Sequence, residues 1–363
     1  MSSSSSYYPK EVVDPHHHFI DTTNNPFQTF LSTIAGPNGL TSLPEDYTRD
    51  VIIPLAQKRG VTMIGTIHVE AMPDNGVDEI AWVERMATIE KRCPYVKGYV
   101  ASANLTDDSI DQQLQDLVHL APTKLRGIRW IVDCVGKYYD KHNQSGGDNA
   151  THVGTTRHDH DGLDYLQTPE FERGLALLST KYNHLSFDLQ CAPIQLVQSA
   201  ASLFGKYPKL KVCIDHLGKP RTVLGKDLLD DGVSINPNLT PNESELKVWR
   251  MGMKLMSQLP NNVHVKISML GYTLPGWIRT KERQGVLKSL IRETIDLFGP
   301  HRCMVAWNWH VNGAVSDADN LSTVGPTAVE LLDMFTWFFE GYNEDEKDRL
   351  FAGTAKEFYR IEK

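Results

Sequence analysis

The chain has no C-x-x-C pair, no apolar run long enough to span a bilayer, no glycine-rich loop after its first strand-like segment and no basic excess. Each absence closes a class of function. Five widely spaced cysteines (Cys93, Cys134, Cys191, Cys213 and Cys303) are odd in number. Most lie in or beside apolar stretches, which argues against a disulfide scaffold and for a reducing compartment, expected to be the cytoplasm. The apolar runs are strand-sized, so a membrane partner is not expected. A net charge of −8, from 37 Lys+Arg and 45 Asp+Glu, argues against nucleic-acid binding through a broad basic surface. Where a dinucleotide fold would carry glycines, the chain reads Asp14-Pro15-His16-His17-His18. The serine-rich start lacks the apolar core of a secretory signal.

What the chain does have is histidine, fourteen in 363 residues, and a regular alternation of elements. Strand-like runs fall at Val12–Phe19, Thr62–Val69, Val96–Ala103, Leu125–Val132, Leu185–Gln190, Val212–Leu217, Val263–Met269 and Cys303–Trp309. Amphipathic stretches between them include Glu79–Lys91, Thr168–Lys181, Ile194–Lys206, Glu245–Gln258 and Thr280–Leu297, with a final helix near Pro326–Glu340. Strands separated by helices pair in parallel. Eight such units predict an α/β fold, a (β/α)₈ TIM barrel, whose minimum is about 250 residues. Residues 1–11 are expected to form a flexible tail and residues 12–363 a single domain. Three long connections, Ile20–Pro44, Cys134–Gln167 and Gly218–Ser244, would elaborate the mouth at the C-terminal ends of the strands.

Side chains alternate along a strand, so the polar set on each one names its inward face. That alternation groups Asp14, His16 and His18; Thr66, His68 and Glu70; Ser186, Asp188 and Gln190; Lys266 and Ser268; and Asn308 and His310. Ile67 and Val69 would then face the helices. His216 shares its face with Ile214, and the fourth strand stays unassigned because Arg126 and Arg129 fall on opposite faces. Any one of these residues has an ordinary explanation, as a satisfied core histidine or a structural ion pair. Together they place ionisable groups at five strand ends, and burying them costs several kcal/mol unless they pair with one another, a metal or a substrate. A functional site is the better reading.

These residues resemble the amidohydrolase superfamily, whose first-strand H-x-H signature is matched by His16-x-His18. The segments Leu125-Arg126-Gly127-Ile128-Arg129, Phe187-Asp188-Leu189-Gln190, Ile214-Asp215-His216-Leu217-Gly218-Lys219-Pro220 and Val265-Lys266-Ile267-Ser268 are similar to its amidohydrolase-related (type 2) branch. That branch contains 2-pyrone-4,6-dicarboxylate lactonase, sugar-lactone hydrolases and some decarboxylases. The resemblance implies a barrel enzyme opening a small lactone or cyclic ester. Its carbonyl would be polarised by His16, His18 and His216, with or without one Zn²⁺ to which Glu70 could add a carboxylate. His68, Arg126, Arg129, Gln190 and Lys266 would bind substrate.

The chain departs from the family pattern in three places. Its fourth strand carries arginines instead of the bridging lysine of binuclear members, which argues against two metals. Gln190 stands where many members have histidine. Trp307-Asn308-Trp309-His310 replaces Ser-Asp-Trp-Pro, so the aspartate that serves as general base is an amide here. His310 is the expected base and Asn308 would orient water or substrate. A decarboxylase or rearrangement enzyme, needing no activated water, is the second reading. A third is a catalytically impaired barrel that binds a ligand between Trp277, Trp307, Trp309 and Tyr272. The expected partner is a small-molecule substrate, with self-association as a homo-oligomer.

Overall fold

The computed structural model describes residues 7–35, 37–133, 163–220, 223–224, 240–260, 262–274, 276–309 and 326–361. Eight parallel strands form one sheet in chain order: β1 (Glu11–His17), β2 (Thr62–Val69), β3 (Val96–Ser102), β4 (Leu125–Arg129), β5 (Ser186–Leu189), β6 (Val212–Ile214), β7 (Val263–Ile267) and β8 (Cys303–Val305). The sheet curls until its first and last strands meet through one parallel bridge, His17 to Trp309. The Asn308 N–H donates to the His16 carbonyl at 2.9 Å in the same seam. This is a nearly closed (β/α)₈ barrel, as the alternation predicts.

The helices between the strands start where the sequence offers caps. Asn75 accepts from the Val77 N–H ahead of α1 (Gly76–Glu84), and the Thr168 hydroxyl from the Phe171 N–H ahead of α2 (Pro169–Thr180), which has proline in its first turn. Asn242 and Thr280 do the same for α3 (Glu243–Ser257) and α4 (Lys281–Phe298). Thr327 and Glu330 form a reciprocal capping box on α5 (Ala328–Phe338). Each cap satisfies amide donors that the helix cannot pair internally, contributing about 1 kcal/mol. Of the three long connections, Ile20–Pro44 is described except for Gly36. It folds into the helix Thr29–Ala35 and a two-residue strand pair, Ile20–Asp21 with Thr41–Ser42. Most of the other two, including His152, His158 and His160, lies outside the described residues.

Several strands end earlier than their apolar runs. β6 stops at Ile214, β7 at Ile267 and β8 at Val305, because His216, Met269 and Asn308 adopt left-handed backbone (φ 54°, 48° and 48°) that cannot continue a ladder. Described residues within the stretch expected as a tail make defined contacts. The Tyr8 hydroxyl donates to Asp333 at 2.9 Å, Tyr7 bonds Asp348, and Glu11 already pairs with Thr62.

Two inward-face assignments are corrected. Ile67 and Val69 fill the barrel instead of facing helices: they share one buried cluster with Val13, Val100, Cys213, Met304 and Phe358. Strands on opposite sides of the sheet can meet in this way only through the interior. Thr66 and His68 therefore point outward, where the Thr66 hydroxyl bonds the His17 ring at 2.9 Å and His68 stacks on Phe19. Asp14 also leaves the mouth. The β1 ladder slips between Asp14 and His17, and the Asp14 carboxylate accepts from the Trp307 N–H (3.0 Å) and the Tyr47 hydroxyl (2.8 Å). It stitches the barrel seam, and burial raises its pKa to about 7 against those hydrogen bonds.

The barrel floor is closed by the C-terminal helix α6 (Thr354–Phe358) and the residues after it, which send Phe358 and Tyr359 upward. Phe358→Ala should cost about 3–5 kcal/mol by opening a cavity here, measured as a lower urea midpoint at unchanged m-value. On the same floor, the His264 ring lies 4.6 Å from Phe358 and burial pushes its pKa down to about 4. An unfolded histidine titrates near 6.5, so the folded protein resists protonation between about pH 6.5 and pH 4. Stability is full above that window and falls as pH drops through it. His264→Gln should flatten that decline in pH-resolved urea titrations.

Candidate active site

At the C-terminal ends of the strands, His16 is the centre of a buried polar cluster. Its Nδ1 lies 3.2 Å from the Lys266 ammonium, and its Nε2 lies 3.3 Å from Arg129 Nη1 and 3.2 Å from His18 Nε2. The His216 ring is tilted against it, with centroids 4.8 Å apart. Burial and the neighbouring Lys266 charge hold His16 well below the ordinary histidine pKa, and burial takes His216 to about 3. Both imidazoles are therefore neutral at physiological pH and present lone pairs. A carbonyl oxygen can only accept, so the 2.8 Å contact of His18 Nδ1 with the Val69 oxygen puts the proton on Nδ1. Its Nε2 then faces His16 Nε2 and, at 3.2 Å, Asn308 Oδ1.

The charges around these rings balance almost one to one. Arg129 donates to Glu70 Oε1 at 2.7 Å and to the Glu70 carbonyl at 2.5 Å. Lys266 donates to Asp188 at 2.5 Å, and Lys219 pairs with Asp133. Asp215 is the remaining carboxylate, 3.0 Å from Lys266, 3.4 Å from Arg129 and 3.7 Å from His16 Nδ1. Burial opposes its ionisation, but the Lys266 and His16 interactions outweigh it and hold Asp215 well below the carboxylate range. Asp188 and Asp215 together outweigh desolvation at Lys266, so its ammonium stays charged.

One anionic charge beside three imidazoles is a donor set that fits a divalent cation. His16, Asp215 and His216 each offer a ligand atom within 4.8 Å of the others. The remaining ring nitrogens of His18 and His216 are held by the Val69 carbonyl and, at 2.8 Å, by the Ser268 hydroxyl. Such outer contacts fix a ligating histidine's tautomer.

Backbone strain marks the same place. Met72, His216, Leu217, Lys219, Met269 and Asn308 are non-glycine residues in the left-handed region, all just beyond the ends of β2, β6, β7 and β8. Such conformations cost about 1–3 kcal/mol each and persist where surrounding structure fixes them, often at functional sites.

The structure thus gathers His16, His18, Arg129, Gln190, His216, Lys266 and Asn308; Gln190 Oε1 accepts from Arg129 at 3.4 Å. His310 lies outside the described residues. Three expected site residues are placed elsewhere. Glu70 is engaged by Arg129 and the Met72 N–H (2.7 Å), which removes it from the metal donor set. His68 faces Glu79 of α1, 3.7 Å away, on the helix side of the sheet. Arg126 sits at the opposite end of the barrel beside Lys97, Lys124 and Arg360. Of the four residues expected to wall a ligand, Trp277 and Trp307 are buried against helices, Trp309 packs edge-on to Tyr47, and the Tyr272 side chain lies outside what the structure describes. Asp215 was the residue strand alternation missed. The left-handed turn at His216 lets neighbouring residues face one site, and the Asp-His dipeptide at a strand end was its only signal.

The chain belongs to the amidohydrolase family: the Amidohydro_2 family model, described as amidohydrolase, matches residues 13–361. Over 203 residues it is 24% identical to the L-fucono-1,5-lactonase of Burkholderia ambifaria, covering 55% of this chain and 58% of that protein. The chain spans little more than half the length of this curated relative. Among solved structures, an amidohydrolase from Burkholderia multivorans with bound HEPES aligns at TM-score 0.65 and 19% identity, over 97% of this chain and 99% of that one. A second crystal form of it holds zinc and aligns at 0.64. A Pseudomonas putida protein described as a 2-pyrone-4,6-dicarboxylic acid hydrolase aligns at 0.60 with 13% identity, over 98% and 99% of the two chains. These structural likenesses show the barrel fold.

Lys266→Met should destabilise the protein by about 3–5 kcal/mol, since it strands Asp188 and Asp215 in the interior. Adding Asp188→Asn should recover part of that loss in urea denaturation, because one uncompensated charge goes with it.

Proposed function

We propose that this protein hydrolyses a small lactone or cyclic ester at the C-terminal mouth of its barrel. The observation that carries the reading is the convergence of the neutral His16 and His216 rings, with His18, on Arg129, a buried guanidinium locked by Glu70. The Arg129 guanidinium among these rings can stabilise negative charge developing on a carbonyl oxygen, since it is fixed and shielded from water. The lactonase relative, though matched over only part of its length, supports the same substrate class.

His16, His18, His216 and Asp215 would hold one Zn²⁺, which when bound supplies Lewis acidity toward the substrate carbonyl and acidifies water. Lys266 acts through His16, keeping its ring neutral and oriented. Arg129 and Gln190 meet the anionic end of the substrate, a role suited to the planar guanidinium. The Asn308 Nδ2 is buried without a hydrogen-bond partner among the described residues and can orient the attacking water or the ring oxygen. An amide cannot take a proton at neutral pH, so base function is assigned to His310, two residues on, whose ordinary pKa of about 6.5 suits it. Among the described residues the buried thiols Cys93, Cys213 and Cys303 form no disulfide, which supports a cytoplasmic location.

Turnover of sugar lactones and 2-pyrone-4,6-dicarboxylate in ¹⁸O-water is the direct test. One labelled carboxylate oxygen per product is expected. Unlabelled product with release of carbon dioxide would overturn hydrolysis in favour of decarboxylation, the reading that the amide at position 308 favours. His310→Ala should lower kcat by about 10²–10⁴-fold with KM within a few-fold. Unchanged kcat would remove His310 from the mechanism. Chelation followed by readdition of Zn²⁺ should abolish and then restore turnover.

A further inference from the structure

The barrel floor carries a second polar concavity, unrelated to the mouth. It encloses about 460 Å³ between Lys97, Thr123, Lys124, Arg126 and Arg360. Ligand pockets run from about 300 to 1,000 Å³, so the size suits a small metabolite. Its chemistry is one-sided: four of the five lining residues are cations, and none of the described residues lining it is acidic. In a chain of net charge −8, such a concentration of one sign is not a matter of composition.

The backbone is shaped to admit these side chains. A β-carbon at Gly98 would stand 2.6 Å from Cγ of Arg126, and one at Gly65 would stand 2.9 Å from Cγ of Lys97. Strand glycines thus leave the room through which both stems pass. Arg360 itself adopts left-handed backbone, φ 53°, immediately after Tyr359, which is anchored to Asp188 at 2.7 Å. The cations also repel one another. Burial and the Arg126 charge lower the Arg360 pKa, and burial and Arg360 lower that of Lys211 nearby. Lys124 has Glu84 at 3.5 Å, whereas Lys97 and Arg360 form no ion pair among the described residues. Cations packed against mutual repulsion, with their stems accommodated by missing side chains, gain most from a multiply charged anion. Guanidinium forks match the oxygens of a phosphoryl group.

We propose that this floor pocket binds the phosphoryl group of a small phosphorylated metabolite, at the end of the barrel opposite the reaction site. The cavity exceeds what a bare oxyanion fills, leaving room for an organic body.

Isothermal titration of the full-length protein at fixed ionic strength tests this with inorganic phosphate, glucose 6-phosphate, ATP and citrate. Saturable binding of at least one phosphate compound is expected, tighter than citrate. Lys97→Gln and Arg360→Gln, each confirmed as folded by circular dichroism, should raise its Kd at least tenfold. Two partly exposed sites are used so that one misfolded variant leaves the other informative. Binding of glucose 6-phosphate or ATP more tightly than inorganic phosphate supports an organic phosphate. Equal affinity for inorganic phosphate overturns the claim that the pocket takes a metabolite. No saturable binding, citrate binding as tightly, or unchanged Kd in the two variants overturns the site altogether.

Discussion

The ammonium of Lys266, held between Asp188 and Asp215 in the barrel interior, is the interaction on which the site depends. A bare charge at that depth costs several kcal/mol. The fold meets this cost by placing β5, β6 and β7 side by side, so that Asp188, Asp215 and Lys266 come from three adjacent strands or their ends. The consequences spread upward and downward. Above, the ammonium fixes the His16 ring and depresses its pKa. Below, Asp188 reaches the hydroxyl of Tyr359 and so ties the floor of the barrel to its mouth. The C-terminal residues are in this sense part of the site's support as well as its plug.

A second constraint is the seam. Parallel strands pair continuously from β1 to β8, yet among the described residues β1 meets the segment after β8 through a single bridge. Closure there rests on Asp14 accepting from the Trp307 amide and on the His16 carbonyl accepting from Asn308. The residues that close the barrel are thus interleaved with His16, His18 and Asn308. Left-handed backbone at Asn308 ends β8 and turns its side chain toward His18. Geometry that would be a defect in a bare barrel becomes the means of aiming polar groups inward.

Much of this was legible beforehand. The alternation of apolar runs with amphipathic stretches gave eight strands in the right order, and β5 and β7 carried Asp188 and Lys266 on the face that alternation named. The method failed where strands bulge or stop. On β2 it inverted the faces, because Thr66 and His68 find hydrogen-bonding or stacking partners in the outer layer while Ile67 and Val69 fill the barrel. After β6 it hid Asp215 behind His216, because a left-handed turn breaks the two-residue period. The family resemblance implied a mouth position for Arg126 as for Arg129, but three residues along a strand span about 10 Å, enough to separate mouth from floor.

The sequence by itself determined the class of fold, the family, and which residue types would do the chemistry, because periodicity and local motifs are written along one dimension. Only the tertiary structure decided which of the polar residues share a space. Pairings such as Arg129 with Glu70, Lys266 with Asp188, and Arg126 with Arg360 join residues tens to hundreds of positions apart. Their energies depend on burial and distance, quantities that exist only once the barrel has closed.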